Sequence, residues 1–185
     1  MYFVTLCTNQ RLHLFEDVVD GTMHRNRAGV MVQSVWDDVC SVDRGTAVDS
    51  IAVMPNHVHA IIALVSGPAG VAVVLPGERP RESSGVLLGD VVKEYKNATA
   101  NVYRRRVRRC GWRPFAGTLW QTNYYEHIIR DAESLARIRK YIAENPKRWT
   151  IDKDNSEKQG DDEFDLWLSS MARGQAERRA GDSAG

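Results

Sequence analysis

VDSIAVMPNHVHAIIALV, the stretch from Val48 to Val65, holds two strand-length apolar runs joined at Pro55-Asn56. Val48–Met54 reads as one strand, Pro55-Asn56 as a tight connection and His57–Val65 as the next strand, which makes an antiparallel hairpin. Side chains alternate between faces along a strand. Val58, Ala60 and Ile62 therefore point to a core, and His57, His59 and Ile61 share the other face. The two histidines then stand about 7 Å apart along the chain, a spacing that one divalent ion could bridge. Taken alone, the pair also fits hydrogen-bonded or solvent-facing histidines. Imidazole suits many divalent ions, so a third donor is needed, an oxygen if the metal is magnesium or manganese.

Outward from this hairpin, Tyr2–Thr8 is rich in β-branched and aromatic residues and reads as a first strand. Asn9–Arg27 reads as a long polar loop. Val32, Val35, Trp36 and Val39 fall at helical spacing and predict an amphipathic helix over Gly29–Cys40. Ser66–Asp90 is scattered with Gly and Pro and reads as an inserted loop, with a short hairpin arm at Val71–Leu75 as its one candidate element. A helix over Leu87–Arg109 follows, then a fourth strand over Leu119–Ile129. Asp131 can cap a last helix whose buried stripe is Leu135, Ile138 and Ile142, and Pro146 ends it near Asn145. The order predicts an α+β fold, a ferredoxin-like β-α-β-β-α-β unit with one antiparallel sheet and helices on one face, plus a C-terminal helix carrying Tyr141. Residues 1–150 form one domain with an insertion at 66–90. Residues 151–185 form an acidic, solvated and partly flexible tail, in which Phe164, Leu166, Trp167, Leu168 and Met171 can dock as a short helix.

A chain of 185 residues with 43% apolar and 26% charged residues suits one soluble domain. No apolar run is long enough to span a membrane, and the N-terminus shows no export signal. Three widely spaced cysteines, Cys7, Cys40 and Cys110, predict reduced thiols and a cytoplasmic protein. The net charge of +1 hides an asymmetry, because Lys93–Arg113 holds eight basic residues and one acidic one. Arg104, Arg105, Arg106, Arg108 and Arg109 form the densest part. They suit phosphate contacts, or else a solvated helix end favoured by the helix dipole. Lys140, Lys147 and Arg148 add positive charge around Tyr141, where a nucleic-acid strand would lie.

Tyr141 and Asn145 lie one helical turn apart, beside the Leu135/Ile138/Ile142 stripe, so both can reach a groove next to the sheet. The plainer reading is a boundary tyrosine and a helix-end asparagine. Beside a metal, however, a phenol can attack a phosphodiester and conserve its bond energy as a phosphotyrosine ester. Tyr124 and Tyr125 are rival nucleophiles, better suited to packing with Trp120 or stacking on bases. His127 is a further candidate ligand or phosphate contact, or a satisfied half-buried histidine.

The segments YFVTLCT (2–8), MPNHVH (54–59), LWQTNYYEHIIR (119–130) and YIAENP (141–146), in that order, resemble the REP-associated tyrosine transposases. These belong to the wider HUH class of single-strand transposases with one catalytic tyrosine. The resemblance implies a magnesium- or manganese-dependent endonuclease and strand transferase that cuts single-stranded DNA beside a REP-like hairpin. By the same resemblance His57 and His59 hold the metal, Asn145 completes the metal site, and Tyr141 forms a 5′-phosphotyrosine link. It leaves open a homodimer in which the tyrosine serves the partner's site. A domesticated hairpin-binding protein without transposition activity is the alternative. The long segment at 66–90 and the acidic tail depart from the family pattern.

Overall fold

The computed structural model describes residues 1–41, 44–65 and 86–171. Among these residues, strands and α-helices run in the order β1 (Tyr2–Cys7), β2 (Glu16–Val19), β3 (Thr22–Arg25), α1 (Arg27–Val39), β4 (Thr46–Val53), β5 (His57–Leu64), α2 (Leu88–Cys110), β6 (Tyr125–Ile128) and α3 (Ala132–Glu144). The main sheet has the order β4-β5-β1-β6, and each neighbouring pair is antiparallel. Without the small β2–β3 hairpin, this is the ferredoxin-like topology expected from the sequence.

Strand alternation divides the core into two layers. Val4 and Leu6 of β1 and Val58, Ala60 and Ile62 of β5 face α1 and α2, where Trp36 stacks on Tyr95 with ring centroids 3.8 Å apart. On the other face, Phe3 and Ile61 pack against Leu135, Ile138, Tyr141 and Ile142 of α3. The register sets Thr5 opposite His59 and Cys7 opposite His57, so two pairs of polar side chains lie among these apolar ones.

Several expectations shift in detail. The loop expected over 9–27 contains the β2–β3 hairpin, closed by Asp20 and Gly21, both at positive φ (50° and 69°). An Asp-Gly pair between β-capable residues is a strong hairpin signal, and it lay within the stretch read as loop. Asn26 caps α1 by accepting from the amides of Ala28 and Gly29, so the helix starts two residues before Gly29. A Cβ at Gly29 would lie 2.7 Å from the Phe15 carbonyl oxygen, so only glycine lets α1 sit this close to the hairpin.

The strand expected over 119–129 is paired only from Tyr125 to Ile128, with Trp120 making a lone bridge to Thr8. Between them the carbonyls of Gln121, Thr122 and Asn123 turn away to the Lys96 ammonium at 2.8, 3.1 and 3.3 Å, which removes them from the ladder. The hairpin arm at Val71–Leu75 and most of the 66–90 insertion lie outside the described residues.

The acidic segment is corrected more sharply. After α3 a 3₁₀ helix runs over Asn145–Ile151, and the chain then folds back over the site. Asp152, Asp154 and Asp162 are buried where a solvated tail was expected. Residues 163–171 are helical and dock through Phe164 and Leu168. No helix among the described residues is long and apolar enough to cross a membrane.

Candidate metal and tyrosine centre

β5 presents His57 and His59 side by side and fully buried, with their Nε2 atoms 3.0 Å apart. Each ring is held from behind. His57 Nδ1 meets Asn56 Oδ1 at 2.9 Å, and His59 Nδ1 meets Thr5 Oγ1 at the same distance. Asn56 Oδ1 can only accept, so His57 Nδ1 donates to it and Nε2 is the ring nitrogen turned toward His59. Burial, followed by the neighbouring His57, pushes the pKa of His59 well below the ordinary imidazole value. A metal needs neutral imidazoles with free lone pairs.

The third donor is Asp152. Its Oδ2 lies 3.8 Å from His57 Nε2, and the donor atoms of His57, His59 and Asp152 lie within 4.8 Å of one another. Asp152 is held by its neighbours: the Asp154 amide donates to its Oδ1 at 2.7 Å, and Asn145 Nδ2 donates to its Oδ2 at 2.7 Å. Asn145 Oδ1 is buried without a partner among the described residues. Two imidazoles, one carboxylate and an unpartnered amide oxygen fit a divalent ion with nitrogen and oxygen ligands. Cys7 lies opposite His57 in the register, but burial and then Asp154 push its thiol up to about 12. Cys7 is not among the clustered donor atoms.

Tyr141 closes the centre. Its hydroxyl lies 3.4 Å from His59 Nε2 and 3.5 Å from Asp152 Oδ2. The expectation that Tyr141 and Asn145 flank the apolar stripe is corrected. Both are buried, and Ile138, Tyr141, Ile142 and Asn145 continue the stripe at helical spacing onto the sheet. Phe164 lies flat on the Tyr141 ring, with centroids 3.7 Å apart and planes 9° apart, leaving the tyrosine 3% exposed. Burial, followed by the carboxylates of Asp152, Asp165, Asp154 and Asp162, holds the phenol far above its ordinary pKa. It is protonated in this arrangement.

The other sequence candidates are dispersed. Tyr125 lies on β6 against Phe3 with Lys153 over its ring, and Tyr124 lies under Lys96, its phenol pushed up to about 12 chiefly by burial. His127 is buried near Trp167 and is not in the donor group. Arg104, Arg105, Arg106, Arg108 and Arg109 are exposed on the last turns of α2, and Lys140 and Lys147 are exposed near Tyr141. Arg148 is instead engaged. It forms a two-pronged pair with Asp162 (Nε to Oδ2, 2.8 Å) and lies 6.0 Å over the Tyr141 ring. Asp152 is the site residue that sequence reasoning missed. Trp149 and Ile151 ahead of it signalled that the chain was still packing when it reached the acidic run.

No family model matches the chain. A protein of Haemophilus influenzae, described only as uncharacterized, is 30% identical over 155 residues, covering 82% of each chain. Two solved structures are similar. One, from Deinococcus radiodurans, carries a provisional transposase assignment; it is 21% identical over 77% of this chain and 87% of its own, with a TM-score of 0.42. The other is a REP-associated tyrosine transposase bound to a REP hairpin, 20% identical over 80% of this chain and 66% of its own, with a TM-score of 0.49. These fits are loose. Chemical inference therefore rests on the site itself.

Proposed function

The chain belongs to one family with the Haemophilus influenzae protein, and we propose that it is a single-strand transposase of the REP-associated tyrosine type. The observation that carries the reading is the meeting of the Tyr141 hydroxyl, two imidazoles and the Asp152 carboxylate in one buried centre. The motifs at 2–8, 54–59, 119–130 and 141–146 resemble that family, and hairpin DNA is the substrate which that resemblance implies.

In this reading His57, His59 and Asp152, with Asn145 beside them, hold magnesium or manganese. When bound, the ion would draw charge from the non-bridging oxygens of the scissile phosphate. Tyr141 attacks the phosphorus. Its Oη–P bond forms as the P–O3′ bond breaks, which leaves a 5′-phosphotyrosine and a free 3′-hydroxyl. The phenolic proton is lost to water as the Oη–P bond forms, and the departing 3′-oxygen takes one proton from water, so charge and atoms balance. Tyr141 meets the histidines of its own chain, which favours the cis arrangement and needs no second subunit. Arg104, Arg105, Arg106, Arg108 and Arg109 grip the hairpin phosphates, and Lys140 and Lys147 serve the strand near Tyr141, while Arg148 stays paired with Asp162.

A hairpin-binding protein without transposition activity is the second reading. It is favoured by the Phe164 ring pressed on Tyr141 and by Arg148 being tied to Asp162. One assay separates the two. Labelled single-stranded hairpin DNA with manganese or magnesium should yield a covalent protein adduct in the wild type and none in Tyr141→Phe. An adduct that persists in Tyr141→Phe overturns the nucleophile. Salt-sensitive binding with no adduct under either metal selects the second reading.

A further inference from the structure

A path of packed side chains leads from the arginine-rich end of α2 to the histidine centre, and at its middle lies a cavity of about 610 Å3. Tyr103, Trp112 and Arg113 line it on the α2 side. On the other side is His13, whose ring meets Trp149 at 5.6 Å, and Trp149 in turn lies 6.0 Å from His57. We propose that this cavity receives one unpaired nucleobase of the strand that runs from the hairpin to Tyr141. The proposal rests on the functional reading above.

The volume lies in the range of small-ligand pockets. The half-buried Trp112 makes a T-shaped contact with Tyr103 at 5.1 Å, which holds the indole at the cavity wall. The Tyr103 hydroxyl is already committed, donating to the Arg113 carbonyl at 3.1 Å. An indole presented in this way is a stacking platform for any base. Charge then separates base from backbone. Arg27 and Arg113 are exposed cations at the cavity, and Arg27 has no carboxylate partner among the described residues. Glu16 and Asp17 are exposed carboxylates on the same lining.

Carboxylates repel phosphate but accept from the amino groups of cytosine, adenine and guanine. The start of α1 does not offer its Ala28 and Gly29 amides to an anion here, because Asn26 Oδ1 takes them at 2.8 and 2.9 Å. Stacking surface, hydrogen-bond acceptors and flanking cations together match a base with its phosphates.

The test uses the full chain and one fluorescent hairpin in two forms, blunt and with a single-stranded extension. Trp112→Ala should weaken binding of the extended form about tenfold and leave the blunt form unchanged, while Trp112→Phe retains most of the affinity. An abasic nucleotide at one position of the extension should reproduce that loss in the wild type. Asp17→Asn should narrow the difference between thymine and the amino-bearing bases at that position. Equal weakening of both hairpins by Trp112→Ala, or no weakening of either, overturns the base site and leaves the transposase reading in place. A wild-type protein that binds neither hairpin overturns both.

Discussion

Asn56 holds two parts of the site in one side chain. Its Oδ1 accepts from His57 Nδ1 and orients the ring, and its Nδ2 donates to the Asp154 carbonyl at 2.8 Å, on the segment that carries Asp152. Asn56→Ala should therefore weaken manganese binding by about 10- to 100-fold in titration calorimetry. Unchanged affinity would show that the imidazole and the carboxylate hold themselves. Asp152→Asn should likewise lower metal affinity, and it should slow adduct formation more than Asn145→Ala does, because it removes a carboxylate donor and not a neutral amide one. At this scale the sequence was partly legible. His57 and His59 share a face through strand alternation, and Tyr141 and Asn145 share one through helical spacing, both rules that act within a few residues. Asp152 enters through a reversal of the chain after Trp149, and no local spacing rule describes such a turn.

Among the elements, α3 matters most because it carries the tyrosine. Its start is fixed by Asp131, which accepts from the Ser134 amide at 2.6 Å and from the Ser134 hydroxyl at 2.9 Å. Asp131→Ala should cost about 1 kcal/mol of stability, read as a lower melting temperature. The Ser134 amide bond, then its hydroxyl, hold the Asp131 carboxyl below the ordinary carboxylate range. A lowered folded-state pKa gives a contribution that is present above the unfolded pKa and lost as pH falls through the folded one. The gap between wild type and Asp131→Ala should therefore close in acid and persist at neutral pH. A gap that widens in acid would contradict the cap.

The helical stretch over 163–171 acts in the opposite sense to α3, since its Phe164 covers the phenol that α3 presents. Phe164→Ala should speed adduct formation several-fold on a fixed hairpin, and a slower rate would mean that the stack aligns Tyr141 for attack. The docking of Phe164 and Leu168 was legible as an apolar cluster, whereas its position over Tyr141 was not. An amphipathic face states that it will be buried and leaves open what buries it.

For the whole molecule, the near-zero net charge conceals a division of labour. The exposed Arg104, Arg105, Arg106, Arg108 and Arg109 of α2 form no ion pair among the described residues, while several carboxylates of the 152–165 segment are paired with cations, as in Arg148–Asp162, Arg11–Asp154 and Lys153–Asp165. Hairpin affinity should fall steeply with salt. Replacing Arg105 and Arg108 together by Gln should reduce the slope of log affinity against log salt by about 0.7–0.9 for each phosphate that is no longer neutralised. An unchanged slope would place the hairpin elsewhere.

By itself the sequence determined the topology of the sheet, the antiparallel hairpin around Pro55-Asn56, the helix that carries Tyr141 and the two histidines on one face. These follow from periodicity, turn chemistry and capping, which act over a few residues. Only the tertiary structure decided that an acidic run is buried rather than solvated, that Asp152 joins His57 and His59, and that Phe164 closes over the tyrosine. Those outcomes depend on desolvation and pairing among side chains far apart in the chain, and their energies exist only once the fold has brought them together.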